Sequence, residues 1–390
     1  MLKVIEDTNE GLDWNENKDK KEDFVFVTYA FSTSINPKEA AYFLAREQSV
    51  STYNRLHGET LEMREQRSAK VFSVDEKKFI IAYPTININT IGELLVTING
   101  NGNFLNANIF SKLIVEDVEF PDSFLSKFAG PKYGKEILSW FNVQNRPLLI
   151  GVQKPSIGLP AKEHVERALE AFRGGCDIVK DDEQLYPDDP ANLLKERLDI
   201  LSRELPKLRN EAGKHFMYIF NLENESEILE HIKLIEQKSS EHLFAIMLSP
   251  LLGLPFVRYI RENTSLPIFT HPSGFGIYTR GPFGFSNKVL TTILRICGVD
   301  CVIHPAPYSK IAECSPEIAN DVKVACDKSL DNIKQSIISF GGGMRKENYK
   351  QTKELMKGTD FIFLVGGAIF GNKNGPKIGS EELIDYMTKN

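Results

Sequence analysis

The most informative stretch of the sequence is a run of four charged residues, Lys180, Asp181, Asp182 and Glu183, which directly follows the predicted strand 176–179. Carboxylates that leave the end of one strand together can reach the same hard cation, and Mg²⁺ prefers such oxygen ligands. Asp182 and Glu183 are therefore candidate Mg²⁺ ligands. The spacing leaves two interpretations of Lys180 open. It either balances the acidic charge or takes up CO₂ as a carbamate and becomes a third oxygen ligand.

Other ionisable residues also follow apolar segments. Lys154 comes shortly after residues 148–152, His271 and His304 close two later segments, and Lys310 lies in the loop beyond the second histidine. A lone histidine is more often structural. Two histidines at equivalent strand ends favour substrate contact or proton transfer near neutral pH. If the segments are parallel strands, these groups converge on one rim.

Two glycine runs occupy corresponding places near the end of the chain. Gly341, Gly342 and Gly343 follow one apolar segment, and Gly366 with Gly367 follow the next. Glycines here expose backbone N–H groups near a helix start, which is an anion site and a usual phosphate position at barrel rims. The alternative is that they only mark turns.

The elements that must position these residues alternate regularly after residue 146. Eight apolar segments are each followed by an amphipathic helical stretch. The predicted strands are 148–152, 176–179, 216–220, 243–248, 266–270, 300–304, 335–339 and 360–365. This rhythm predicts a (β/α)₈ barrel over residues 146–390, with its active site at the C-terminal ends of the strands. The alternative is an open doubly wound sheet, although no GxGxxG follows a strand.

The region before the barrel has a different rhythm. Strands are predicted at 24–31, 69–74, 79–84 and 93–98, with a helix over 37–47 that has proline at its first position. This mixture indicates an α+β domain of ferredoxin-like type over residues 23–145. Residues 1–22 are polar and are predicted to be a flexible leader.

Composition limits the classes of function. The net charge of −6 gives no basic surface for nucleic acid, and the apolar runs are too short to span a bilayer. The five cysteines form no CxxC pair, so we expect buried, reduced thiols and no zinc site. The first residues lack the apolar segment of a secretory signal. We expect a cytoplasmic protein with a small-molecule substrate.

Two motifs carry a family resemblance. GGCDIVKDDE at 174–183 resembles the metal-site signature GGxDxxKDDE of the RuBisCO large-chain family, and KPSIGL at 154–159 resembles its KPKxGL. The resemblance implies a Mg²⁺ bound by carbamylated Lys180, Asp182 and Glu183, with Lys154 as a catalytic lysine. It also implies roles for residues already named: two active-site histidines, His271 and His304; a mobile loop lysine, Lys310, at a spacing about one residue short; and the two glycine runs as phosphate loops.

The N-terminal region resembles the same family. AREQSVSTY at 45–53 and the Gly102-Asn103 segment are similar to stretches that complete the site of a neighbouring subunit. The resemblance therefore implies that Glu47, Thr52 and Asn103 contact substrate across a homodimer with shared sites.

Several positions depart from the family pattern. Ser156 replaces the second lysine of KPK, Val152 replaces a substrate-contacting threonine, and Pro272 replaces a phosphate-binding arginine. The serine that opens the seventh-strand loop is replaced by glycine or by Phe340. Losing the arginine removes a bidentate contact to phosphate.

The resemblance therefore favours a RuBisCO-like enzyme that enolises a phosphorylated ketose or an oxo acid-sugar phosphate, with an isomerase, tautomerase or decarboxylase outcome. The alternatives are a true ribulose-1,5-bisphosphate carboxylase and a catalytically silent binding or regulatory homologue. The substrate's carbon skeleton and its number of phosphates stay open.

Overall fold

The computed structural model describes residues 9–50, 57–104, 109–309, 311 and 314–390, without the side chain of Asn103. The chain divides into two compact units. The first comprises Met1–Ala129, Gly274–Ile293 and Leu330–Ile333, and the second comprises Gly130–Ser273, Leu294–Ser329 and Lys334–Asn390.

Secondary structure was assigned over these described residues. The strands are β1 (Phe24–Ser32), β2 (Lys70–Val74), β3 (Lys78–Pro84), β4 (Lys112–Glu119), β5 (Leu148–Val152), β6 (Ile178–Lys180), β7 (Met217–Asn221), β8 (Phe244–Leu248), β9 (Ile268–Thr270), β10 (Phe283–Phe285), β11 (Cys301–Pro305), β12 (Ile337–Gly341) and β13 (Phe361–Val365). The α-helices are α1 (Pro37–Glu47), α2 (Leu61–Arg67), α3 (Ile91–Leu95), α4 (Asp122–Leu125), α5 (Glu136–Ser139), α6 (Ala161–Arg173), α7 (Leu194–Ala212), α8 (Ile228–Lys238), α9 (Leu254–Glu262), α10 (Phe275–Thr279), α11 (Asn287–Ile296), α12 (Pro316–Asp327), α13 (Lys346–Leu355), α14 (Gly367–Phe370) and α15 (Gly375–Lys389). Short 3₁₀ turns cover Lys21–Asp23, Thr85–Asn87, Asn101–Asn103 and Pro250–Leu252, and a π turn covers Val96–Gly100.

The first unit is built on a sheet in the order β10-β4-β1-β3-β2. Its pairs are antiparallel except β10 with β4. The predicted helix α1 is confirmed: Pro37 opens it, and the side chain of Asn36 accepts a hydrogen bond from the Lys38 amide. Such an N-cap satisfies a backbone donor that the helix leaves unpaired. The unit mixes helices and strands, as predicted for the region before the barrel, but it also includes Gly274–Ile293 and Leu330–Ile333.

One predicted strand in this unit is wrong. Residues 93–98 lie in α3 and in the following π turn rather than in a strand. Thr90 and Glu93 form a capping box, which starts a helix by satisfying two backbone donors. The buried residues Ile91, Leu94 and Ile98 follow a spacing of three and four, the period of a helix face. The apolar content of this segment suggested a strand, but its period is helical.

The second unit contains a closed parallel barrel, which confirms the prediction. Its strand order is β11-β12-β13-β5-β6-β7-β8-β9, and each adjacent pair is parallel. The barrel interior is filled by buried apolar side chains such as Ile150, Ile219, Met247 and Ile303. Both faces of the strands are covered, so the segments are apolar runs without a polar side.

Two expectations from composition can be compared with the structure. The five cysteines are buried and unpaired, as predicted. Among the described helices, none combines the length and the apolar character that a membrane crossing requires.

Candidate active site

A cavity of about 460 Å³ lies at the C-terminal ends of the barrel strands. Five of the predicted residues line it: Lys154, Lys180, Asp182, Glu183 and His271. The glycines of both predicted phosphate loops line it as well. A larger cavity of about 670 Å³ lies at the opposite end of the strands, where barrels of this type do not place catalytic groups.

Lys180 is the last residue of β6 and is almost fully buried at 1% exposure. Its Nζ donates a hydrogen bond to the Asp181 carbonyl at 2.7 Å and lies 3.9 Å from Oε2 of Glu183. Burial lowers the pKa of this lysine, although the neighbouring carboxylates oppose the shift. The neutral amine, which is the form that reacts with CO₂, is therefore more accessible than in a surface lysine.

Asp182 is held by the lysine at the end of the neighbouring strand. The Nζ of Lys154 donates to Oδ2 of Asp182 at 2.5 Å and to Oγ of Ser156 at 3.0 Å. Burial alone would raise the pKa of Asp182, but the Lys154 hydrogen bond and the charge of Lys180 outweigh it and the pKa is lowered. The carboxylate is therefore ionised and available to a cation.

His271 stands beside the other predicted metal ligand. Its Nε2 lies 3.2 Å from Oε2 of Glu183, and its Nδ1 accepts a hydrogen bond from the Ser273 amide at 3.2 Å. Because Nδ1 is an acceptor, the neutral ring carries its proton on Nε2, toward the carboxylate. Burial, with the positive charge of Lys180, lowers the pKa of His271 to about 3. The ring is neutral near pH 7.

A buried network behind β6 fixes the strand end. Asp181 points away from the cavity and accepts hydrogen bonds from Arg197 at 3.1 Å, from the Asn221 amide at 3.2 Å and from the hydroxyl of Tyr218. Nε2 of His164 lies 3.3 Å from the same carboxylate. Burial would raise the pKa of Asp181, but Arg197 and the hydrogen bonds lower it to about 2. Sequence reasoning did not identify these supporting residues, since nothing in their spacing links them.

The predicted phosphate loops form another side of the cavity. Gly342 and Gly343 adopt φ values of +95° and +70°, which only glycine adopts without strain. A Cβ placed on Gly366 would lie 3.7 Å from Cε of Lys154. The loop before α14 is therefore adjacent to the lysine that holds Asp182, and its backbone faces the same space.

The remaining wall is apolar and was not predicted. It contains Ile303, Pro305, Ile311, Met344 and Leu364. The available signal was strand alternation, because residues two apart on β11 point the same way. Once one residue of a strand is known to face the barrel interior, the residues two positions away on that strand face it as well.

The structure does not bring His304 into the described lining of this cavity. Its neighbours Ile303 and Pro305 face the cavity, so the histidine side chain points to the helix layer. There its Nδ1 lies 3.0 Å from the Pro305 carbonyl oxygen and 3.7 Å from Sγ of Cys314. Burial lowers its pKa to about 4. Lys310 follows His304 by about one residue fewer than the spacing in the family. Counting from residue 303 restores that spacing, which agrees with an inward position at residue 303 rather than 304.

The remaining predicted site residues lie elsewhere. Glu47 ends α1 in the first unit, and burial raises its pKa. Asn103 closes a 3₁₀ turn in the same unit. Thr52 and Lys310 lie outside the residues that the structure describes.

The residues at the end of β6 fit a hard divalent cation. Asp182 and Glu183 direct carboxylates to the same cavity, where Lys154 and His271 now hold them. The amine of Lys180 lies within 3.9 Å of one of these carboxylates. A carbamate there would add the oxygen ligand that Mg²⁺ prefers.

Comparison with known proteins shows the family of the chain. Residues 135–384 match the ribulose bisphosphate carboxylase large chain catalytic domain, and residues 13–124 match its N-terminal domain. A ribulose bisphosphate carboxylase-like protein from Chlorobaculum tepidum is 31% identical over 307 residues, covering 78% of this chain and 69% of that protein. One from Archaeoglobus fulgidus is 30% identical over 384 residues, covering 92% and 86%.

Solved structures share the fold. The octameric RuBisCO from Pyrococcus horikoshii superimposes with a TM-score of 0.88 at 24% identity, covering 99% of this chain and 92% of that one. A rubisco-like protein from Burkholderia fungorum gives a TM-score of 0.82 at 21% identity, covering 94% and 93%. With both domain models matched in order and these relatives aligned along most of its length, the chain belongs to the RuBisCO large-chain family.

Proposed function

We propose that the chain is a Mg²⁺-dependent RuBisCO-like enzyme that enolises a phosphorylated ketose or an oxo acid-sugar phosphate. The observation that carries the proposal is the convergence of Lys154, Lys180, Asp182, Glu183 and His271 on one cavity. Glycine loops suited to a phosphate border the same space. Relatives that carry the name RuBisCO-like support this choice, as does the fold shared with the rubisco-like protein MtnW from Alicyclobacillus acidocaldarius.

The metal would be held by Asp182, Glu183 and a carbamate on Lys180. When bound, Mg²⁺ would supply Lewis-acid polarisation of a carbonyl and its adjacent hydroxyl. The α-proton would then be taken by Lys154 or by the Lys180 carbamate. His271, neutral with its proton on Nε2, can donate a hydrogen bond to a substrate oxygen.

The glycine loops would seat the substrate phosphate. Backbone N–H groups from the loops after β12 and β13 bind an anion without a charged side chain. Lys154 lies beside Gly366, so its amine would be close to the phosphate or to the reacting carbon. A phosphorylated substrate fixed in this way would present its carbonyl to the polar side of the cavity.

Carboxylation of ribulose 1,5-bisphosphate is the alternative that the residues disfavour. Pro272 lines the cavity where the family has a phosphate-binding arginine. Ser156 holds Lys154, where the family has a second lysine. The parts needed for enolisation are present, whereas those needed for a second phosphate and for CO₂ addition are altered.

We further propose a homodimer with shared sites, in which Glu47, Thr52 and Asn103 would complete the partner's cavity. Relatives of the same fold form oligomers. The RuBisCO from Hyperthermus butylicus is described as dimeric, and that from P. horikoshii as octameric. Sedimentation analysis tests the dimer, and a monomer with full activity would contradict it.

The enolisation proposal is tested by solvent deuterium exchange. The full-length protein, preincubated with Mg²⁺ and bicarbonate, is given phosphorylated ketoses and oxo acid-sugar phosphates in D₂O, and exchange at the α-carbon is followed by proton NMR. We expect exchange on at least one compound, dependent on both Mg²⁺ and CO₂. Exchange on no compound, together with weak Mg²⁺ binding that CO₂ does not change, would support the silent homologue instead.

A further inference from the structure

A second group of metal-ligating side chains lies outside the cavity, in the same barrel unit. Asp188 comes from the loop between β6 and α7, Glu227 directly precedes α8, and His231 lies in the first turn of that helix. One ligand atom from each residue lies within 4.8 Å of the other two. Glu227 and His231 are four residues apart, so a helix places them on one face.

His231 is the informative member of this group. The residue is only 8% exposed, and its Nδ1 has no hydrogen-bond partner among the described residues. Its Nε2 faces the two carboxylates, 3.5 Å from Oδ1 of Asp188 and 3.9 Å from Oε2 of Glu227. These distances are long for hydrogen bonds. Nε2 of this buried imidazole and one oxygen of each carboxylate lie within 4.8 Å of one another, a spacing that fits a cation placed among the three atoms.

Asp188 is held in its position from the other side. The Nδ2 of Asn224 donates a hydrogen bond to Oδ2 of Asp188 at 2.7 Å. The other oxygen, Oδ1, is the one that approaches His231. Outer partners of this kind orient carboxylates that bind metals.

We propose that Asp188, Glu227 and His231 bind a divalent transition metal of the Zn²⁺ class, with solvent completing its coordination. One imidazole and two carboxylates suit such borderline cations, whereas the all-oxygen set proposed at Lys180, Asp182 and Glu183 suits Mg²⁺. The ion would tie the loop that follows Glu183 to the start of α8. This site does not depend on the proposed function.

Cobalt(II) is the probe, because its visible absorption reports nitrogen and oxygen ligands directly. The full-length protein is titrated with Co²⁺ in a large excess of Mg²⁺, which occupies the other site. We expect one saturable band in the wild type, an unchanged band in Lys180→Met, and its loss in His231→Gln and in Glu227→Gln. Glu225→Gln, which changes a nearby exposed carboxylate outside the group, is the matched control and retains the band.

Thermal melting gives a second readout. Zn²⁺ should raise the melting temperature of the wild type and of Lys180→Met but not of Glu227→Gln, because a ligand of the native state stabilises it. Glu227 is exposed, so its substitution does not threaten folding. Identical Co²⁺ titrations of the wild type, His231→Gln and Glu227→Gln would overturn the proposal. So would the absence of a band in the wild type.

Discussion

Two strand ends that face each other across the candidate active site differ in polarity. The end of β6 presents Lys180, Asp182 and Glu183, while the end of β11 presents Ile303 and Pro305. Both belong to the same kind of parallel barrel strand and reach the same rim. The difference is that the polar side carries an amine and two carboxylates, the groups to which we attribute cation binding and proton transfer. The opposite side, as described, offers apolar contact.

The polar wall requires support that the apolar wall does not. Burying a lysine beside carboxylates is unfavourable unless each charge has a partner. Here Lys154 holds Asp182, and Asp181 lies in a buried network with Arg197. The apolar wall packs with the barrel core and needs no such network. Substitutions on the two walls should therefore have different effects on stability and activity.

The largest effect is expected from Lys180→Met. Removing the amine eliminates the carbamate and should lower the α-proton exchange rate by about 10³-fold, within the range for loss of an acid–base group. Stability should fall by about 1–3 kcal/mol, because the Asp181 carbonyl loses a buried hydrogen bond and Glu183 loses a neighbouring amine. NMR exchange and thermal melting measure the two effects. An unchanged exchange rate would eliminate the carbamate role.

Asp181→Ala should strongly destabilise the protein. It leaves the guanidinium of Arg197 buried without its carboxylate, which typically costs about 3–5 kcal/mol. Urea unfolding measures the change. Asp199→Ala, which removes an exposed carboxylate paired with Lys238, is the control and should change stability by less than about 1 kcal/mol. Equal effects of the two substitutions would mean that the network does not support β6.

The same carboxylate predicts a pH dependence. Its pKa is about 2 in the folded protein, below the value of about 3.9 for an unfolded chain. A lowered folded-state pKa stabilises the protein fully above the unfolded value, and the contribution is lost as pH falls from about 4 to about 2. We expect the stability difference between wild type and Asp181→Asn to shrink by about 2–3 kcal/mol over this window, followed by urea unfolding at each pH. A constant difference would contradict the assignment.

Pro272→Arg tests the effect of the missing phosphate-binding arginine. An arginine after His271 should add a charge-assisted contact and tighten binding of ribulose 1,5-bisphosphate about tenfold, equivalent to about 1.4 kcal/mol. Isothermal titration calorimetry compares the affinity of this variant for the bisphosphate with that of Pro272→Gln, which adds length without charge. If both variants bind the bisphosphate equally, the missing arginine does not explain the altered specificity.

An effect of similar size is expected at the glycine loops. Gly343→Ala forces an alanine into left-handed backbone, where its Cβ would lie 2.8 Å from Oγ of Ser309, and should cost about 1–2 kcal/mol with weaker binding of inorganic phosphate. Gly367→Ala is the control, since no described atom lies within 4 Å of its Cβ position. Equal losses in both variants would argue against strain as the cause.

The sequence predicted the barrel and the polar wall because both depend on local patterns. Each barrel strand is a short apolar run, and the charged cluster follows one of them directly. The predictions from sequence were wrong or incomplete where a residue's place depends on the direction of its side chain or on partners distant in the chain. His304 was placed one residue away from the inward position held by Ile303, and the strand expected at 93–98 is helical. The supporting contacts of Asp181 join separate elements, so no local spacing reveals them.

The central claim, which rests on the proposed function, is that this chain enolises its substrate but does not carboxylate ribulose 1,5-bisphosphate. The most direct measurement is incorporation of labelled CO₂ into acid-stable product. The protein is preincubated with Mg²⁺ and bicarbonate and then given ribulose 1,5-bisphosphate, with a working carboxylase run alongside. We expect no incorporation by this protein. Incorporation would show that the residues at Val152, Ser156 and Pro272 permit carboxylation, and it would contradict the account.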